Sequence, residues 1–429
     1  MLVGGSVIER SRLEEVDSPN ARFPLLDGMR ALAATLVFTF HAWVFLGYVD
    51  LGEAVGSLGV AGIRDINAAF AHLGEVGVAL FYLLSAFLLY RPFARAALER
   101  APTRAVIPYA LRRASRILPG YWAAVTLIGI IDPSTNAFSI HGLWSQYLFG
   151  SLYSSGGLIS ASNPYMATWT IAVEVSFYIF LPIWAGLLGL VRKVFDRPLA
   201  VEAVGVVFLI CVGLVWKVVA AEQISGEAWF GSSFAVLPAS IDVFAAGMGL
   251  AILSLRPDLR LWGLVTRIQR RPGTAWFAAL ILYGILCWAV DVRTPVTGSL
   301  AGQALISGFG KIPIALLLLI PALSKSPSGS LIQKALRARA VLWVGTVSYG
   351  LYLWHLFVLR HLSDSGSGGL FPPMDHRLVE LFPLNATFAY LLSLLLGAIS
   401  WYGIEKWTLA YGHNLASRVA EKARFKQIA

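Results

Sequence analysis

The chain has 429 residues, 57% of them hydrophobic and only 14% charged, with a mean hydropathy of +0.69, too little polar surface for a water-soluble domain of this length. A net charge of +10 would point to nucleic acid in a soluble protein. Here the basic residues lie between apolar runs, so their sidedness across a bilayer matters more than their sum, and no nucleic-acid partner is expected.

Residues 1–25 include Glu9, Arg10, Arg12, Glu14, Glu15, Asp17 and Arg22 without an apolar core, so they read as a cytoplasmic tail rather than a cleavable signal. A helix needs about 20 apolar residues to cross about 30 Å of hydrocarbon. Ten segments qualify, at 26–48, 73–93, 117–131, 166–190, 199–221, 234–255, 275–290, 300–323, 341–358 and 386–409. With the amino terminus inside, the cytoplasmic segments collect Arg91 through Arg116, Arg192 through Arg197, Arg256 through Arg271, Lys325 through Arg339 and Arg418 through Lys426. The outer ones hold Arg64, Arg293, Arg360 and Arg377. This asymmetry predicts an all-α, polytopic protein of the cell (plasma or inner) membrane with about ten transmembrane helices and both termini cytoplasmic. The membrane domain is expected at 26–410, followed by a basic tail at 411–429. The outer segment 132–165, with Trp144, Tyr147, Phe149 and Tyr153, is expected to lie along the interface or fold back as a cap. The 363–369 stretch reads as a flexible outer loop. Cys211 and Cys287 sit in separate apolar runs, so neither a disulfide framework nor a cysteine metal site is expected.

Ionisable groups in hydrocarbon cost a few kcal/mol each and mark candidate functional sites. They are His41, Glu75, Glu174, Lys217, Asp242, Lys311, His355, Glu405 and Lys406, with Asp27 and Arg30 at the start of the first span. Lys217, Glu75, Glu405 and Lys406 lie near span ends and are expected to snorkel to the interface. Trp169, Phe177 and Tyr178 read as interfacial anchors. Arg30 and His41 are eleven residues apart, about 20° from three full turns, so they share one helix face about 16 Å apart. A cation at the mouth suits a phosphate-bearing donor, and a deep imidazole can take a proton from a hydroxyl. The same residues also fit a snorkelling arginine and a histidine making one interhelical hydrogen bond.

The segment from Leu26 to His41, LDGMRALAATLVFTFH, resembles the opening of the membrane-bound acyltransferase 3 family, marked by a basic residue separated by ten residues from a catalytic histidine. Further similar segments follow in order: Val78 to Leu89, with Ala86 where the family has glycine; Arg112 to Trp122; Thr168 to Tyr178; Ile241 to Met248; and Val347 to His355. The resemblance is to the stand-alone form, without a fused extracytoplasmic domain.

The resemblance implies an acyltransferase using acetyl-CoA or another acyl-CoA, with no metal. Its acceptor would be a hydroxyl of a glycan, glycolipid or macrolide-like natural product. Arg30, Arg113 and Arg116 would clamp the donor phosphates. His41 would act as general base or transient acyl carrier, and Glu174 would orient its imidazole or else tie helices together, with Lys311 as a partner. Ser85, Asp242, Tyr349 and His355 are candidates for the substrate pocket, with His355 equally a candidate for a helix-packing hydrogen bond, and Asp27 is expected to cap the first helix or pair with Arg30. The competing reading is a transporter or flippase for a glycolipid or small amphiphile, which also needs intramembrane polar groups.

Overall fold

The computed structural model describes residues 23–47, 59–101, 105–150, 165, 167–223, 235–290, 300–324, 329–363 and 382–428, with 59–68, 71, 300–304 and 423–428 described by backbone alone. The amino-terminal tail through residue 22, Tyr153, Arg104, Arg293, Lys325, Arg377, the 364–369 loop and the side chains of Arg64 and Lys426 lie outside the described residues. Among those described there are helices and no strands. A helix satisfies its own backbone N–H and C=O groups, which hydrocarbon cannot do. Ten helices among the described residues are long and apolar enough to cross a membrane, the number expected.

In chain order they are α1 (Leu26–Ala42), which continues into a π-helical turn at Trp43–Gly47, α2 (Gly59–Leu98), α3 (Val106–Ile131), α4 (Thr168–Val194), α5 (Pro198–Gln223) and α6 (Leu237–Leu255). A short α7 (Arg260–Arg270) precedes α8 (Pro272–Val290) and α9 (Leu300–Leu319). Then come α10 (Leu331–Leu336), α11 (Arg339–Ser363) and α12 (Phe382–Ser400), which passes through a π-helical turn, Trp401–Glu405, into α13 (Lys406–Ile428).

Several helices outrun the apolar limits read from the sequence. The third begins at Val106 rather than Ile117, so Arg112, Arg113 and Arg116 stand on helix. Arginine is a good helix former, and Pro108 sits in the first turn, where its missing N–H costs little. The basic stretch after α6 contains an amphipathic helix, α7, with Val265 buried and Leu261 and Leu264 exposed beside Arg260, Arg267 and Arg270. Residues 132–150 fold back along α3, where Tyr121 O–H and Trp122 N–H donate to the carbonyls of Gln146 (2.7 Å) and Tyr147 (3.1 Å).

At the buried centre, α1 packs between α2 and α11, and α2 also packs on α6; α12 covers α11, α13 covers α3, and α8 and α9 pair beside α5 and α2. Without a hydrophobic drive between helices, such packing relies on small residues that let backbones approach. The alanine at position 86 fits because Gly247 of α6 faces it: a Cβ built on Gly247 would come within 2.8 Å of the Ala86 methyl. Between α11 and α12, Gly350 meets Gly397, where an added Cβ would lie 2.6 Å from the Leu351 nitrogen.

Polar ties reinforce this packing and correct several expectations. Lys217 of α5 donates to Asp242 of α6 at 2.5 Å, with both side chains buried. Lys217 therefore does not snorkel, and Asp242 is part of a helix–helix ion pair rather than of the substrate pocket. Glu405 is buried and accepts from Ser400 at 2.7 Å, again not an interfacial group. Glu75 hydrogen-bonds His72 (3.2 Å) and Ser307 (2.7 Å) and faces the Lys311 ammonium at 3.9 Å, so Lys311 serves Glu75 and not Glu174. For Lys217 and Glu75 a neighbouring helix offers a partner closer than the interface, and for Glu405 the preceding turn of its own helix does. Lys406 is exposed, as expected, and lies over the Trp407 ring.

Replacing Lys217 by Met is expected to cost about 3–5 kcal/mol, because it strands the Asp242 carboxylate in an apolar interior. Thermal unfolding in detergent should show a clear fall in Tm that the double replacement Lys217→Met with Asp242→Leu largely reverses. Gly397→Val should separate α11 from α12 at a cost of about 1–3 kcal/mol, seen as a lower Tm. An unchanged Tm would refute the close contact.

Candidate active site

The helix stripe predicted for α1 is present. Arg30 and His41 both turn into the protein, with His41 8% exposed and Arg30 donating to Asp27 at 2.5 Å, the expected local pair. α1, α2, α3, α4 and α11 enclose a cavity of about 100 Å³, room for about three waters. Arg30, Arg113 and Arg116 line one part of it; Ser85, Glu174, Tyr178 and Tyr349 follow, and Thr170 and Tyr352 also border it. Arg113 and Arg116 are on successive turns of α3 because that helix extends through the basic stretch. Neither is in a salt bridge with a described residue, and the Nε of Arg113 is buried without a hydrogen-bond partner there. Glu174 and Glu405 act on these arginines through space, but with no described carboxylate at salt-bridge distance their N–H donors remain available to an anion.

Glu174 does not contact His41. Its carboxylate accepts hydrogen bonds from Ser85 O–H on α2 and from Tyr178 O–H one turn along α4, the latter at 2.5 Å. This corrects the expected orienting role: Ser85 and Tyr178 hold Glu174 in the cavity wall. Tyr349 also lines the cavity, and its hydroxyl donates to the Ile117 carbonyl at 2.8 Å, tying α11 to α3.

The partner of His41 is His355. His355 Nδ1 lies 2.7 Å from the Tyr352 carbonyl, His355 Nε2 lies 3.1 Å from His41 Nδ1, and His41 Nδ1 lies 3.0 Å from the Val37 carbonyl. A carbonyl can only accept, which assigns the tautomers of the neutral rings. His355 carries its proton on Nδ1, so its Nε2 is an acceptor. His41 also carries its proton on Nδ1, shared between Val37 O and His355 Nε2, and its own Nε2 keeps the lone pair. Two backbone carbonyls thus set which nitrogen of His41 is basic, as an outer partner fixes a histidine ligand or base. Phe40 at 4.6 Å from the His41 ring and Phe38 at 6.4 Å from the His355 ring help enclose the pair.

His41 and His355 do not line the 100 Å³ cavity. The cavity that holds Arg30 stops short of His41; it is bordered by Tyr352, whose hydroxyl lies 2.5 Å from Thr170 Oγ1 and donates to the Ala167 carbonyl at 3.0 Å. His355 is therefore not a pocket wall but the hydrogen-bond partner of His41. Tyr352 joins the two parts, since its ring borders the cavity and its carbonyl holds His355.

The sequence reading missed Thr170 and Tyr352 as lining residues and took Tyr178 for an interfacial anchor. Phe177, read likewise, is buried and stacks on Phe244 with centroids 4.0 Å apart. The available signal was helical spacing: Tyr178 lies four residues after Glu174 and Tyr352 three before His355, the separations that place side chains on one face. Among the described residues no group of three or more histidine, cysteine or acidic side chains could hold a metal, and Cys211 and Cys287 are unpaired.

Comparison with known proteins matches residues 23–402 to the acyltransferase 3 family, described as an acyltransferase domain. Nodulation protein 10 of Rhizobium leguminosarum bv. viciae is 22% identical over 91% of this chain and 95% of its own. Acyltransferase MdmB of Streptomyces mycarofaciens is 26% identical over 79% of this chain and 80% of its own. Peptidoglycan O-acetyltransferase OatA of Listeria monocytogenes serovar 1/2a is 23% identical over 77% of this chain but only 48% of its own. No solved structure matches. With the family spanning nearly the whole bundle and its ten apolar helices, the chain belongs to the acyltransferase 3 family and is a multi-pass membrane acyltransferase that transfers groups other than amino-acyl groups.

Proposed function

We propose that the protein is an O-acyltransferase of the plasma or inner membrane, moving an acetyl or other short acyl group from acyl-CoA to a hydroxyl of a glycan, glycolipid or glycosylated natural product. The observation that carries the mechanism is the carbonyl–His355–His41 chain, which leaves a lone pair on His41 Nε2. The printed name of the peptidoglycan O-acetyltransferase relative supports a glycan hydroxyl as acceptor. The basic residues at the ends of the spans support an arginine end that faces the cytoplasm, where acyl-CoA is found.

In this reading Arg30, Arg113 and Arg116 hold the donor phosphates while the thioester passes the Tyr352–Thr170 contact toward His41. The acceptor O–H gives its proton to His41 Nε2 as its oxygen attacks the thioester carbonyl. The C–S bond then breaks, and the departing thiolate takes the proton back, so atoms and charge balance across the step. His355 accepts from His41 Nδ1–H throughout, and its hydrogen bond strengthens while His41 is cationic. The same lone pair would form the acyl-imidazole if His41 acts as a carrier, and rapid quenching after donor alone separates the two mechanisms.

His41→Ala should lower kcat/KM for transfer by about 10²–10⁴-fold in folded protein; turnover at the wild-type level would refute the assignment. His355→Phe should reduce kcat while leaving the donor KM nearly unchanged, and His355→Gln, whose carbonyl can still accept, should recover much of the loss. A purely packing role predicts no such recovery.

Arg113→Gln and Arg116→Gln should each raise the KM for acyl-CoA by roughly tenfold or more, the worth of one charge-assisted hydrogen bond. Steady-state kinetics with acetyl-CoA in detergent tests this, and an unchanged KM in both variants would remove the clamp.

A further inference from the structure

We infer that the gap between α3 and α4 is a lateral binding site for a phosphate-headed membrane lipid, with its alkyl chain along the gap and its phosphate on Arg113. These helices spend their packing surface elsewhere, α3 chiefly on α13 and α4 on α2, α5 and α6. Between them lies a second cavity of about 430 Å³. Its walls are apolar, with Val106, Ile179 and Ile183 exposed on the lipid side, so a hydrocarbon chain enters without stranding a polar group.

The back of the gap separates it from an ordinary groove. Arg113, Ile117 and Tyr178 line both this cavity and the reaction cavity, so the gap adjoins the proposed site on its bilayer side. Tyr178 O–H is engaged by Glu174, and Tyr109 O–H donates to the Tyr178 carbonyl at 3.2 Å. Arg113 is different, because its Nε is buried and without a partner among the described residues. A guanidinium at the end of an apolar slot is complementary to an anion carried on a chain, and its fork suits phosphate. The groove between α5 and α9 makes the contrast. It is larger, at about 700 Å³, but is lined by Leu214, Val215, Val219, Ile306, Phe309 and similar apolar groups with no charge, so it has nothing to select a headgroup.

Arg113 then serves two ligands, a lipid from the side and the donor from the mouth, and an acceptor borne on a phosphate-linked chain would reach the cavity without leaving the membrane. The inference rests on the reading that the arginine end binds phosphate, but its test uses no donor. A normal KM for acyl-CoA in both Arg113→Gln and Arg116→Gln would defeat the donor clamp and leave the lipid site standing.

The test is photolabelling of the full chain in nanodiscs with two probes that share a diazirine-bearing acyl chain, one with a phosphate head (phosphatidic acid) and one neutral (diacylglycerol). The phosphate probe should label peptides of α3 around Ala110 and Ala114 and of α4 around Ile179 roughly tenfold more than the neutral probe, while the α5–α9 groove takes both equally. Arg113→Gln should erase the preference, and Ala114→Trp, which fills the gap from its exposed side, should lower labelling by both probes. Equal labelling by the two probes at α3 and α4, or labelling unaffected by Ala114→Trp in protein of unchanged Tm, would overturn the proposal.

Discussion

In hydrocarbon a polar side chain has no solvent to fall back on, so its partner must come from another helix or from a nearby turn of its own. That requirement organises this bundle. Lys217 and Asp242 join α5 to α6, Glu75 gathers His72, Ser307 and Lys311 between α2 and α9, and Glu202 of α5 accepts from Tyr90 and Arg192. Small residues complete the work, since Gly247 makes room for Ala86 and the Gly350–Gly397 contact lets α11 and α12 touch through their backbones. Each tie also restricts where the neighbouring helices can sit, and so fixes the walls of the site.

Against this background the arginines of α3 stand apart. Arg30 has Asp27, whereas Arg113 and Arg116 face the cavity without a salt bridge among the described residues. Positive charge that Glu174 and Glu405 balance only through space, without a direct ion pair, is held ready for an anionic ligand.

In the proposed mechanism the imidazole pair lets the backbone do the work of a triad carboxylate. Glu174 is spent on Ser85 and Tyr178, and two carbonyls, of Tyr352 and Val37, set the proton positions in His355 and His41 instead. A neutral partner avoids burying another charge beside the base. The helical backbone changes to a π turn at Trp43, two residues beyond His41, and another π turn carries the buried Glu405. Such turns are frequent near functional sites because they shift the register of the side chains that follow.

The sequence by itself determined the solvent, the number of spans and the inward stripe of Arg30 and His41, because apolar length and the 3.6-residue period are local properties of the chain. It also placed Arg113 and Arg116 together on one side of a helix. Which polar groups became partners was decided only by tertiary structure. Lys217 and Glu405 lie near span ends and could have reached the interface from there, and only the presence of Asp242 and Ser400 beside them turned them inward. Glu174 and His41 share a similar depth, but depth says nothing of azimuth: rotation of α4 gave Glu174 to Ser85, and packing of α11 on α1 gave His41 to His355. Pairings between helices depend on their relative rotation and tilt, which are set by the sum of many contacts and not by any one segment.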